Sequence, residues 1–147
     1  MSDLRELYQE IILDHYRKPR NCSALDTASH CAEGVNPLCG DKVKVFLKIE
    51  DGRVSDISFE GAGCAISTAS ASLMTEAIKG KTLADAEEAF RRFHQAMTGE
   101  ESFPEELGKL EVLSGVREYP VRIKCATLAW HTLHAALRGQ DSQVSTE

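Results

Sequence analysis

The sequence predicts an α+β fold in which helices pack against an antiparallel sheet, and three observations carry that reading. Val43, Val45, Leu47 and Ile49 alternate with Lys44, Phe46 and Lys48, the period-two pattern of a half-buried strand. Asp51-Gly52 is a hairpin turn signal, after which Val54 to Phe59 return the chain as a partner strand. On both sides of this hairpin, apolar residues recur at three- and four-residue steps, the spacing of amphipathic helices.

The elements follow in order. Leu4, Leu7, Tyr8, Ile11, Ile12 and Tyr16 give a helix from Ser2 to about Lys18, which Pro19 closes. A polar stretch leads to a short edge strand around His30 to Glu33, and Gly34 to Asp41, with Pro37 and two glycines, reads as a loop. After the hairpin, Gly61-Ala62-Gly63-Cys64 forms a strand-to-helix junction. The helix from Ala65 to Lys79 stops at Gly80. Thr82 with Asp85 resembles a capping box for a helix whose stripe is Leu83, Ala86, Phe90, Phe93 and Met97. A short helical turn from Pro104 to about Leu113 precedes the last helix, about Val121 to Leu137. That makes about five helical segments.

The chain has 147 residues, enough for one domain whose folding buries roughly 68–70% of the extended chain's surface. We read residues 1–140 as a single domain and 141–147 as a flexible polar tail. Seventeen Lys plus Arg against 23 Asp plus Glu give a net charge of −6, which argues against a binder of nucleic-acid backbones. No apolar run is long enough for a membrane helix and the first residues are not signal-like, so a cytoplasmic location is expected.

Cysteines carry the chemical information. The five are Cys22, Cys31, Cys39, Cys64 and Cys125, an odd number that makes a disulfide framework a poor reading. No pair has CxxC spacing, so a metal or thiol site has to be assembled by the fold. Cys39 lies in the Gly/Pro loop two residues before Asp41, Cys64 lies just before a helix, and Cys125 lies near a helix N-terminus with Arg122 and Lys124 beside it. Such places favour accessible, stabilised thiolates. Three thiolates and one carboxylate can complete a tetrahedral metal site, although the spacing alone equally allows buried, inert thiols. Cys22 and Cys31 belong to no motif. His15 reads as a packing residue, Trp130 and the Phe90, Phe93 and Met97 stripe read as core, and His131 with His134 is a weak metal pair at most.

Three strings decide more than spacing does. Asn36-Pro37-Leu38-Cys39-Gly40-Asp41, Gly61-Ala62-Gly63-Cys64-Ala65-Ile66-Ser67 and Arg122-Ile123-Lys124-Cys125-Ala126-Thr127-Leu128-Ala129-Trp130 resemble those of the U-type iron–sulfur cluster assembly proteins, of the SufU type within the IscU/NifU N-terminal-like superfamily. Asp14-His15-Tyr16-Arg17-Lys18-Pro19-Arg20-Asn21 extends the likeness to the first helix.

The resemblance implies a small three-stranded antiparallel sheet packed on helices, with Cys39, Asp41, Cys64 and Cys125 converging as metal ligands on one exposed site. It implies zinc as cofactor and a pyridoxal-phosphate cysteine desulfurase of the SufS type as partner, with downstream iron–sulfur assembly proteins beyond it. The chain would be a zinc-dependent sulfurtransferase that accepts persulfide sulfur, with Cys39 as catalytic acceptor, free to leave the metal when a partner's ligand replaces it. The alternative is a scaffold on which a transient iron–sulfur cluster is built and handed to apo-proteins. In related IscU-type scaffolds a histidine precedes the third cysteine. Here that residue is Lys124, which is protonated at neutral pH and is no routine ligand. The long stretch from Gly80 to Tyr119 and the absence of a Pro-Pro-Val-Lys segment also favour the sulfur-transfer type.

Overall fold

A computed structural model describes residues 2–37, 40–99, 103–139 and 144–145, the side chains of 2–4, 106 and 144–145 excepted. Helix α1 spans Ser2–Arg17, and the sheet follows as β1 (His30–Asn36), β2 (Asp41–Glu50) and β3 (Arg53–Ala62). Helices α2 (Ala65–Ile78) and α3 (Leu83–Thr98), a 3₁₀ segment Glu105–Glu118 and α4 (Pro120–Leu137) complete five helical segments around three antiparallel strands. The α+β expectation of helices packed on a small antiparallel sheet holds.

The β2–β3 hairpin turns as its residues dictate. Asp51 and Gly52 have φ of 52° and 73°, both in the left-handed region that a two-residue turn of this hand requires. Val45, Leu47 and Val54 are fully buried beneath α4 and α2, while Lys44 and Lys48 keep to the solvent side. Thr82 caps α3 by accepting the Asp85 N–H at 3.1 Å, an interaction of about 1 kcal/mol. Phe93 stacks on Trp130 with ring centres 4.5 Å apart, joining α3 to α4, and such aromatic pairs contribute about 0.5–1.5 kcal/mol beyond burial.

Three expectations are corrected. Strand β1 runs on from Glu33 to Asn36 through a glycine that reads as a loop residue in sequence. Gly34 is there because a Cβ would lie 2.0 Å from Thr132 Oγ1, so only glycine lets this strand meet α4. The short turn ending near Leu113 is instead a segment reaching Glu118, kinked at Gly108 with φ of 54°. Within the stretch read as a loose tail, Val144–Ser145 forms a fourth, parallel strand, β4, on Gly34 and Val35. This pairing uses backbone groups and needs no side-chain pattern; the rest of that tail lies outside the described residues. No described helix is long and apolar enough to cross a membrane.

Candidate metal centre

At one end of the sheet the chain brings a carboxylate and two thiols together. Asp41 opens β2 directly opposite Asn36, the last residue of β1. Cys64 follows the end of β3 and is the N-cap of α2, where its thiol accepts the Ser67 N–H at 3.4 Å. Cys125 enters from α4. One ligand atom of each of Asp41, Cys64 and Cys125 lies within 4.8 Å of the other two.

The carboxylate is held from the backbone. Asp41 Oδ1 accepts the Cys64 N–H at 2.9 Å, and Oδ2 is 3.8 Å from Cys64 Sγ. A side chain at position 63 would intrude, since a Cβ there lies 2.8 Å from Asp41 Oδ1. This explains the second glycine of the strand-to-helix junction. On the far side, the Asn36 amide approaches Cys125 Sγ at 3.9 Å. Arg122, one turn before Cys125, reaches over the thiols from outside, and the charge of Cys64, then that of Cys125, holds its guanidinium above its ordinary range.

Several sequence expectations change here. Cys125 is fully buried rather than accessible, and Asp41 is 2% exposed. Cys64 is half-buried and lines a surface pocket with Glu118, Tyr119 and Arg122, so the cluster reaches solvent through Cys64 alone of these three. Cys125 also sits five residues beyond the start of α4, past the first turn where helix-end charge acts, so the cation that serves it is Arg122. Cys64, at the N-cap, does receive a helix amide. Cys39 lies outside the described residues, between Asn36 and Gly40, which are joined by the Gly40 N–H to Asn36 O bond at 2.9 Å. Cys22 pairs with Phe59 and Cys31 with Phe46, and neither belongs to the cluster.

Sequence reading missed Asn36 as a neighbour of Cys125. Its signal is the start of the Asn-Pro string two residues past a strand glycine.

Two thiols and a carboxylate within such a span fit a tetrahedral, borderline-soft divalent ion, for which Cys and Asp are both ordinary ligands. The burial of Asp41 strengthens the fit. A buried carboxylate is costly unless it is paired or coordinates a metal, and among the described residues Asp41 makes no ion pair with Lys or Arg.

A small antiparallel sheet backed by helices, with an Asp/Cys/Cys cluster at its end, defines a class. Residues 7–144 match the family described as NifU-like N terminal domain, and the chain belongs to that family. Within it, the chain is 42% identical over 141 residues to the zinc-dependent sulfurtransferase SufU of Bacillus subtilis (strain 168), covering 95% of each chain. It is 44% identical over 135 residues to the iron–sulfur cluster assembly scaffold protein IscU of Thermotoga maritima, covering 90% of this chain and 93% of that one. Among solved structures it resembles the putative SUF-system scaffold protein of Fervidobacterium islandicum AW-1, with a TM-score of 0.82 and 37% identity over 87% of this chain and 94% of that chain.

Proposed function

We propose that the chain is a zinc-dependent sulfurtransferase of iron–sulfur cluster assembly, taking persulfide sulfur from a cysteine desulfurase. The observation that carries this reading is the meeting of Asp41, Cys64 and Cys125, from three separated strings, within 4.8 Å. Cys39 is the fourth ligand and the sulfur acceptor. Its neighbours support that role, because Asp41 lies in the cluster and Asn36 beside it.

Zinc, when bound, keeps the thiols ordered and deprotonated rather than activating water. The chain's own residues do the rest. Cys64 and Cys125 are anchors, the first fixed by the α2 amide and the second by its burial on α4. Asp41 is the harder, more exchangeable ligand. Arg122 offsets part of the anionic charge at the side from which a partner would come.

In the transfer, the Cys39 thiolate attacks the outer sulfur of the desulfurase persulfide. A new S–S bond forms at Cys39, the partner's S–S bond breaks, and the partner's cysteine leaves as a thiolate. One S–S bond replaces another, so no external oxidant or reductant enters.

The test is elemental analysis of the purified protein together with sulfide release by a cysteine desulfurase. About one zinc per chain, lost in Cys64→Ala, with strong stimulation of the desulfurase, supports sulfur transfer. A Cys39→Ala variant that still accepts persulfide at the wild-type rate overturns the acceptor assignment. The second reading, a scaffold for a transient cluster, is favoured by the 44% identity to a protein named as one. Iron with acid-labile sulfide and little stimulation would select it.

A further inference from the structure

A second cluster of ligating side chains lies away from the cysteines, on the seam between α3 and α4. His94 of α3 faces His131 of α4 with ring centres 5.2 Å apart and planes at 75°. Phe90 underlies both, its ring centre 6.0 Å from that of His94 and 5.4 Å from that of His131. His134 stacks on the same Phe90 at 4.6 Å with planes 3° apart, and Glu87 Oε1 stands 3.9 Å from His134 Nε2. In sequence these histidines have no acidic or cysteine neighbour at ligand spacing, and only the packing of two helices pairs position 94 with position 131.

We propose that His94 and His131 form a two-imidazole site for a divalent transition-metal ion of the nickel, copper or zinc type, distinct from the cysteine centre. The separation of the rings suits it. An ion about 2.1 Å from one nitrogen of each ring has ring centres roughly 3.2 Å away, so two imidazoles at octahedral to tetrahedral angles stand about 4.6–5.3 Å apart. The observed 5.2 Å falls in that range. Both rings are half-buried, reachable from solvent, and neither makes a hydrogen bond to protein among the described residues. Burial first, then the neighbouring His94 and His134, holds His131 below the ordinary imidazole range, which keeps it in the neutral form a metal needs. The remaining coordination positions would be water, so the site is weaker than one with four protein ligands.

The two centres cannot share an ion. His131 lies six residues beyond Cys125, about 9 Å along the α4 axis and on another face.

The experiment is a nickel titration of the full chain already loaded with one equivalent of zinc. The expected result is a second, saturable binding event, with paramagnetic broadening centred on the imidazole signals of His94 and His131. His94→Gln and His131→Gln should each weaken that event by about tenfold or more. Each variant is checked for folding by circular dichroism, and His30→Gln serves as the neutral control. No nickel bound up to millimolar concentration overturns the proposal. So does binding that survives both substitutions, or release of the resident zinc in step with nickel uptake.

Discussion

Two polar clusters meet α2, one at its start and one toward its middle, and they differ in one respect. At the helix's start, Asp41, Cys64 and Cys125 place acceptors and anions against one another, with a backbone amide and Arg122 as their partners. Toward its middle, His15 Nδ1 lies 2.7 Å from Ser72 Oγ, which also accepts the Arg20 N–H at 2.8 Å. Beside them, the Asn21 amide donates to Thr75 Oγ1 at 3.0 Å, and Phe59 N–H donates to Asn21 O. This second cluster balances donors with acceptors and fastens α1 to α2 and β3. The first instead gathers two thiols and a carboxylate, groups of the kind that ligate a metal. A polar cluster of matched donors and acceptors is structural, whereas one that converges metal-ligating atoms is suited to take an ion.

That comparison can be broken most sharply with metal. Zinc at a thousandfold excess over its dissociation constant should raise the unfolding free energy by about 4 kcal/mol, read from denaturant curves. Cys64→Ala should abolish the gain, and Ser72→Ala should leave it intact. If Ser72→Ala loses the zinc effect, the two clusters are not independent.

Next in size is Ser72→Ala itself. It strands the His15 nitrogen and the Arg20 N–H in a buried place, so unfolding should become easier by about 2 kcal/mol. The zinc content should be unchanged.

The histidine also makes the second cluster responsive to acid. Burial chiefly, with Arg20 nearby, holds His15 below its ordinary value, and Glu76 opposes that shift. The unfolded chain therefore takes up a proton near pH 6.5 that the folded chain refuses. Stability is fully present above that pH and falls as the pH drops below it, by at most about 1.4 kcal/mol per pH unit for one group. Thermal unfolding between pH 8 and 5 should show this slope, and it should diminish in His15→Gln. His131, shifted in the same direction, contributes to the same window, so the residual slope in that variant should shrink further when His131→Gln is added.

The smallest effect is expected from Asp41→Asn without metal. Asparagine keeps an oxygen for the Cys64 N–H and removes a buried charge, so the metal-free protein should change by less than about 1 kcal/mol. Zinc binding should nonetheless weaken by about tenfold or more. A large loss of metal-free stability would mean that Asp41 is structural, like Ser72.

Much of this was legible in the chain. The hairpin announced itself because Asp51-Gly52 is a local conformational choice, and Cys64 could be placed before a helix because a Gly-rich junction and a run of small residues are adjacent in sequence. Thr82 capped α3 where expected for the same reason. The errors came where a distant residue set the rule. Gly34 read as loop because the Thr132 side chain that demands it lies 98 positions away. Cys125 read as accessible because its burial depends on the sheet that α4 covers.

Local order of residues thus determined the element types, the hairpin register and the identity of the thiols and carboxylate, since backbone preference and hydrophobic period act over a few residues. Tertiary structure alone decided which of those groups meet. It drew Asp41, Cys64 and Cys125 together at one end of the sheet, buried His15 on Ser72 and faced His94 toward His131. Each is a contact between segments far apart in the chain, decided by how sheet and helices pack around one core and by no pattern within any single segment.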